Sequence, residues 1–561
     1  MAKRIVTLAV ALLLLGVYAA PAIAEDYRDA EKNFKTVFAN AESSSAQKAD
    51  AIRRLGNAAS DPRDAKKALK EFFNLLKDKN LLNDRQIQAY EAEREKIQAE
   101  HKQIADRARA NGNRAPQSDI DRMSAIEART TVLNDLINSN NVAKNAVVDA
   151  IARMTDAESK AEIIKGITDR DATVASACID AARKGRWRDA WDPIVSAFDS
   201  KDAGVRVLAI TALRTMDANR AMPVMVRAID DEHYMVRSQA VIGMRAARTA
   251  QAVEALIGRL DKESPGRLKW DIVYALQDIT GKGEYGADSV QWRGWWNANK
   301  GSFQAAPPSN PGGGDMGENG DNGGDPNLAD GHRTGAFYGI PIRTKHPVFV
   351  VDNSGSMLVS ANPNDPQVDA AGQPVMPPPG HDSRWQVCQK ELIKAIQGLP
   401  EDGTFAIVHF STSAEKYENG AVFEATDRNK KRAEQIINSW NAEGLTNIYE
   451  AFQFAFEICT GGKLDAVRPV ITGRSETKLN ADTIFFLTDG SPTVGQPING
   501  VAPSNPPNQS YSPLLLEEIC KWNDTRGIII HTICIGEGDV NFLGELAKRN
   551  RGTFRKVVGG K

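Results

Sequence analysis

At 561 residues the chain has room for about three or four domains of ordinary size. Its 42% hydrophobic and 25% charged content is that of a globular protein with apolar cores. With 70 basic and 72 acidic residues the net charge is −2. The overall field therefore offers no attraction for nucleic acid or an anionic membrane, and no basic run supplies a local one.

The first segment reads as a leader. Lys3 and Arg4 precede an apolar run from Ile5 to Ala20, and Ala22-Ile23-Ala24 stands just before Glu25. A basic start, a short apolar stretch and small residues at minus three and minus one describe a signal peptide over residues 1–24, cleaved after Ala24. The run is shorter than the roughly 20 residues that span a bilayer. No cysteine stands at the cleavage point to carry a lipid, and no later segment is long and apolar enough to cross a membrane. The expected location is periplasmic, cell-envelope or secreted.

Residues 25–129 read as helical. The stretch 46–76 patterns as a helical pair, and 81–110 as one charged helix with Tyr90, Ile97 and Ile104 seven apart. Arg94 and His101 are polar at the matching positions of a coiled-coil seam, so a solvated helix packed on the solenoid is expected instead.

Residues 130–300 carry a repeat. Val142, Val174, Val205, Val236 and Leu268 recur at separations of 32, 31, 31 and 32. Four positions on come Ala146, Cys178, Ala209, Ala240 and Ile272; seven on come Asp149, Ala181, Ala212, Gly243 and Ala275. Steps of four and three hold these side chains on one helical face, where small residues let a neighbouring helix approach. A second apolar helix follows each, as in MPVMVRAIDD, which makes the region an α-solenoid. With Val-Arg pairs at 205–206 and 236–237, it resembles the HEAT-like repeat families, clearly over 171–280 and less so in the first unit, where Asp149 breaks the small-residue pattern. The tryptophans of YGADSVQWRGWW (285–296) are expected to close the array by packing on its end.

Residues 301–334 turn to Gly, Pro, Asn and Asp, a composition that cannot offset its ordering entropy. At random-coil scaling the linker stretch from about 304 to 332, about 28 residues, spans on the order of 30 Å, so the two halves are expected to move independently. Its acidic residues lack EF-hand spacing.

Over 335–561 the period changes. Apolar runs at 347–352, 404–410, 482–489 and 527–536 read as strands buried on both faces. Helical patterns lie at 384–398, 428–440, 447–458, 513–525 and 540–549. The alternation implies an α/β doubly wound, mostly parallel sheet of Rossmann-like type. Ligand sites in such sheets collect at the carboxyl ends of the strands. There stand DNSGS (352–356) and TDGS (488–491), with GLTN (444–447) opening a helix. Asp352, Ser354, Ser356, Thr446 and Asp489 supply carboxylates and hydroxyls, without thiol or imidazole, a donor set for Mg²⁺, Ca²⁺ or Mn²⁺ rather than zinc or copper. Gly355 and Gly490 are expected to allow tight turns at the ion.

This arrangement resembles the metal-ion-dependent adhesion site of the von Willebrand factor type A (VWA) family, with each of the five positions filled in order over 345–561. The resemblance implies that Ser354 and Ser356 bind the ion directly, and Thr446 in at least one state. Asp352 and Asp489 would act directly or through water, and a carboxylate from a protein partner would complete the shell. Long proline-rich loops at 358–383 and 490–512 follow the site strands and should flank the ion. They either shape partner choice or are tolerated insertions.

The leading expectation is an exported, non-enzymatic interaction or adhesion protein using the metal site and the repeat surface, with Mg²⁺ the best-fitting ion. The alternatives are a scaffold with a silent site and, less favoured, a metal-dependent hydrolase. No Walker loop, His-Glu-x-x-His or nucleophile elbow is present, and His409 and His531 fall inside strand runs. Cys178, Cys388, Cys459, Cys520 and Cys534 form no recognisable framework, although one bridge among the last four stays open.

Overall fold

The computed structural model describes residues 25–78, 81–110, 115–264, 267–307, 335–342, 344–368, 375–464, 481–498 and 501–557. The expected signal segment and most of the linker lie outside the described residues.

The helical half begins with α1 (Tyr27–Ala39), α2 (Ser45–Ala58) and α3 (Pro62–Leu76). Ser44 and Gln47 form a capping box on α2, and Asp61 caps α3 with Pro62 at its first position. The charged segment forms α4 (Asp84–Ala110), packed along α5 (Gln117–Arg153). Ion pairs Glu93–Arg129, Glu100–Arg122 and Arg107–Asp119 run in opposite sequence directions, which makes the pair an antiparallel hairpin. Helix α5 passes straight through the expected boundary at 130.

The solenoid follows as α6 (Ala157–Gly166) with α7 (Ala172–Lys184), α8 (Trp191–Ala197) with α9 (Ala203–Met216), and α10 (Met222–Ala228) with α11 (Tyr234–Ala247). It continues through α12 (Ala250–Lys262) and α13 (Arg267–Thr280) to α14 (Ser289–Asn299). From residue 171 the expected face is the buried one: Cys178, Ala209, Ala240 and Ile272 are fully buried. In the first unit the register slips by one. Ala143, Val147 and Ala150 are buried, while Asp149 sits at the edge and takes an ion pair from Lys184 at 2.6 Å. The Val-Arg pairs gain a physical reason. Arg206 donates to the carbonyls of Ser200 and Lys201 and pairs with Asp231. Arg237 likewise donates to the Asp231 and Glu232 carbonyls and pairs with Glu263. Each arginine thus ties its own repeat to the next. Trp292 and Trp296 are buried at the end of the array, with indole N–H groups on the Gly286 carbonyl and Glu254.

In the second half a small hairpin, β1 (Ala336–Phe337) and β2 (Ile340–Pro341), precedes the main sheet. That sheet comprises β3 (Pro347–Asp352), β4 (Thr404–Phe410), β5 (Ala414–Lys416), β6 (Phe423–Glu424), β7 (Thr483–Thr488), β8 (Ile529–Ile535) and β9 (Phe554–Val557). The order is β5-β4-β3-β7-β8-β9, with β6 also on β4. Pairing is parallel from β4 through β9 and antiparallel for β5 and β6. Helices α15 (Arg384–Gln397) and α16 (Asp427–Ser439) build one apolar layer on the sheet. The other layer comes from α17 (Ile448–Thr460), α18 (Tyr511–Asp524) and α19 (Val540–Arg549). The five cysteines are free thiols, four of them buried.

Independent motion of the halves, expected from the linker, is corrected by direct docking. The turn after α18 inserts against the faces of α7, α9 and α11. Arg183 pairs with Asp524 at 2.8 Å, and the Gln239 amide donates to the Asp524 and Thr525 carbonyls at 3.1 and 3.0 Å. These are carbonyls that a helix end leaves without an intrahelical partner, so the solenoid supplies the cap. Gly527 has φ +66°, and a Cβ there would lie 3.1 Å from Ser238 Oγ. A linker's composition determines its stiffness but carries no information about whether the bodies it joins adhere.

Candidate metal centre

The sheet places the site. β3 has β4 on one side and β7 on the other, so the crevice beyond its carboxyl end is the topological switch point. Asp352 is the last residue of β3, and Asp489 follows β7 directly. Both carboxylates are buried there.

Short hydrogen bonds link the residues singled out from the sequence. Asp352 Oδ1 accepts from the Ser354 amide at 2.8 Å, and Oδ2 accepts from the Thr488 hydroxyl at 2.5 Å. Ser354 Oγ lies 3.1 Å from Ser356 Oγ, and Ser356 Oγ donates to Asp489 Oδ1 at 2.7 Å. Thr446 stands just before Asn447, the N-cap of α17. A Cβ placed on Gly490 would lie 3.7 Å from Thr446 Oγ1 and 3.9 Å from Ser356 Oγ, so these hydroxyls face one small space. The structure therefore gathers Asp352, Ser354, Ser356, Thr446 and Asp489 at one point. The glycines act by size here, not by a left-handed backbone. The Gly355 amide donates to the Gly444 carbonyl at 3.0 Å, and a Cβ on Gly355 would crowd that carbonyl at 3.3 Å.

Electrostatically the crevice asks for a cation. Burial, then the charge of Asp489, pushes Asp352 up to about 7. Burial also raises Asp489, against the opposing pull of Arg384. Among the described residues, no group of three or more His, Cys, Asp or Glu side chains is placed to hold a metal ion by itself. The donor set is thus carboxylates mixed with hydroxyls, which fits a hard divalent ion that keeps part of its water.

Several partners in this crevice escaped the sequence reading. Thr488 was visible in TDGS but not as a donor to Asp352. Thr493 Oγ1 accepts from the Thr446 amide at 2.9 Å, and its own amide donates to the Thr446 carbonyl at 3.0 Å. Arg384 Nη1 donates to Asp489 Oδ2 at 2.7 Å from the start of α15. Both long loops reach the crevice, since Gln367 of the first accepts from Arg384 and Thr493 of the second accepts from the Thr446 amide. The histidines serve structure: His409 packs on Trp440, and His531 Nδ1 accepts from the Thr553 amide at 3.0 Å while stacking on Phe485.

Fold and crevice together define a von Willebrand factor type A domain standing behind a helical-repeat region. The family model for that domain matches residues 348–491, and the model for HEAT repeats matches 191–277. The chain carries both. Among curated proteins it is similar to inter alpha-trypsin inhibitor, heavy chain 4 of Mus musculus, with 25% identity over 245 residues, 42% of this chain and 21% of that protein. Inter-alpha-trypsin inhibitor heavy chain H3 of Mesocricetus auratus is 24% identical over 226 residues, 40% of this chain and 20% of that protein. The chain thus spans about a fifth of the length of the curated relatives it matches. A solved von Willebrand factor type A structure from Catenulispora acidiphila is 17% identical, with TM-score 0.25, over 38% of this chain and 39% of that one.

Proposed function

We propose that this chain is an exported, non-enzymatic interaction protein that docks an acidic side chain of a protein partner through a divalent ion, Mg²⁺ foremost, with Ca²⁺ or Mn²⁺ as substitutes. The observation that carries the reading is the convergence of Asp352, Ser354, Ser356, Thr446 and Asp489 on one buried crevice at the sheet's switch point. When bound, the ion supplies an open coordination position for a partner's carboxylate. Ser354, Ser356 and Thr446 offer hydroxyl oxygens to it. Asp352 holds the Ser354 amide and the Thr488 hydroxyl, and so fixes the loop that carries the serines. Asp489 orients Ser356.

The repeat surface takes a narrower part than the sequence suggests, because the faces of α7, α9 and α11 already hold the VWA domain. Partner contact is therefore assigned to the metal edge. One observation favours the competing scaffold reading with a silent site: Arg384 already gives Asp489 a positive partner.

Calorimetric titration of Mg²⁺ and Mn²⁺ into the full chain decides between them. One ion should bind, and Asp352→Asn or Ser354→Ala should weaken it at least about tenfold. A chain that takes up no ion, or binds equally well after both substitutions, has a silent site. Capture of envelope proteins with and without chelator then identifies partners held through the ion.

A further inference from the structure

Arg384 is built into the centre rather than lying across it. Its guanidinium donates to Asp489 Oδ2 at 2.7 Å and to Gln367 Oε1 at 2.8 Å. Its backbone amide donates to the Val359 carbonyl at 2.9 Å, which anchors the start of α15 beside the Asp-x-Ser-x-Ser loop. The guanidinium occupies space that only a glycine leaves open: a Cβ on Gly536, where φ is +84°, would sit 2.5 Å from Arg384 Cζ. The pair is shielded, with side-chain exposures of 11% for Arg384 and none for Asp489. Asp489 divides its two oxygens between Arg384 and Ser356, so the arginine leaves the Ser356 side of the carboxylate facing the crevice.

The loop at 358–383 sets this arginine. Ser360 Oγ donates to Asp365 Oδ2 at 2.5 Å, and His381 Nδ1 lies 2.6 Å from the same oxygen. Gln367 Nε2 donates to the Asn362 and Asp365 carbonyls, each at 3.1 Å, which turns its Oε1 toward Arg384. Its hydrogen bonds thus aim a permanent positive charge at one of the two carboxylates.

We infer that Arg384 is a fixed countercharge that lowers the centre's affinity for its divalent ion and biases the loaded centre toward anionic ligands. The inference rests on the metal reading above. Two carboxylates and a divalent ion sum to zero charge; with the guanidinium they sum to plus one, which favours taking up a further carboxylate. The same charge repels the ion, so the empty centre is held together by Arg384 and the loaded one is less tightly held than two free carboxylates would make it. Arg384 acts through Asp489 and is a positioning residue.

The test is a titration of the full chain with Mg²⁺ and Mn²⁺ alone, comparing wild type with Arg384→Met, Arg384→Lys and Gln367→Ala. Arg384→Met should bind the ion at least about tenfold more tightly, because damage to the site would weaken binding and only lost repulsion strengthens it. Arg384→Lys keeps the charge and should stay near wild type. Gln367→Ala, a milder change that loosens the guanidinium, should tighten binding by about threefold. In chelator Arg384→Met should melt below wild type, and saturating Mg²⁺ should largely erase that difference. Binding within twofold of wild type by Arg384→Met and Gln367→Ala overturns the inference and leaves the metal reading intact, as does weaker binding by both. No binding by wild type or by any variant overturns both readings.

Discussion

Thr488 donates to Asp352 Oδ2 inside the sheet, where both residues are fully buried. Replacing it with valine keeps the shape and leaves one oxygen of a buried carboxylate without that donor. The expected cost is about 1–3 kcal/mol of stability in chelator, read by urea denaturation. Mg²⁺ affinity should fall as well, because Asp352 loses one of the bonds that orient it. An unchanged unfolding midpoint would mean the hydroxyl contributes nothing there. At this scale the sequence revealed the candidate ligands but not their supports. Asp352, Ser354, Ser356 and Asp489 lie within four residues of a strand end, where chain order alone places them. Arg384 arrives from the start of α15 and Gln367 and Thr493 from loops, and their placement is determined by hydrogen bonds between residues far apart in sequence. No local period encodes those bonds.

Helix α17 carries the proposed metal site at its start and the docking of the helical half in its first turn. Glu450 accepts from the Ala414 amide and from Asn447 Nδ2, the residue after Thr446, and forms an ion pair with Arg94 of α4. The pair is largely buried, with side-chain exposures of 15% for Arg94 and 6% for Glu450. Breaking such a pair from one side leaves an uncompensated charge, so Arg94→Ala should cost about 3–5 kcal/mol, and Arg94→Met with Glu450→Gln together should cost less than either alone predicts. A double-mutant cycle by denaturant titration measures the coupling; a coupling near zero would reduce the contact to surface decoration. Elements were legible where they were long or periodic. The near-continuous apolar runs gave β3 and β4 to the residue, and the period of 31 gave the solenoid from residue 171 onward. Strands β5, β6 and β9 were missed because two to four residues are too few to show alternation and their pairing is decided by neighbours. Arg94, read from the sequence as a polar interruption of the seam of α4, instead meets the VWA domain.

For the molecule as a whole, the linker joins halves that already hold each other. Beyond the turn after α18, Gln496 of the second site loop is buried and donates to Ser45 Oγ and Asp135 Oδ1 of the helical half at 2.8 and 2.7 Å. Asn141 Nδ2 donates to the Leu464 carbonyl at 2.8 Å, and Lys521 donates to Asn145 at 2.6 Å, so α5 lies along the domain as well. The same loop holds Thr446 through Thr493, three residues before Gln496. Helical half and proposed metal site are therefore connected through two routes, one at Glu450 and one at Gln496. If docking rather than tethering holds the halves, a protease site inserted between residues 308 and 334 can be cut without separating them. The two fragments should co-elute at micromolar concentration, and Arg183→Ala combined with Gln239→Ala should release them after cutting but not before. Those substitutions remove one ion pair and the helix-end cap together, and the uncut chain survives them because tethering supplies an effective concentration in the millimolar range. The released VWA fragment should then bind Mg²⁺ with an affinity different from that of the uncut double variant, since Glu450 and Gln496, on either side of Thr446, have lost their partners in the helical half. Fragments that separate as soon as the linker is cut would show that it, and not the docked surface, holds the molecule together.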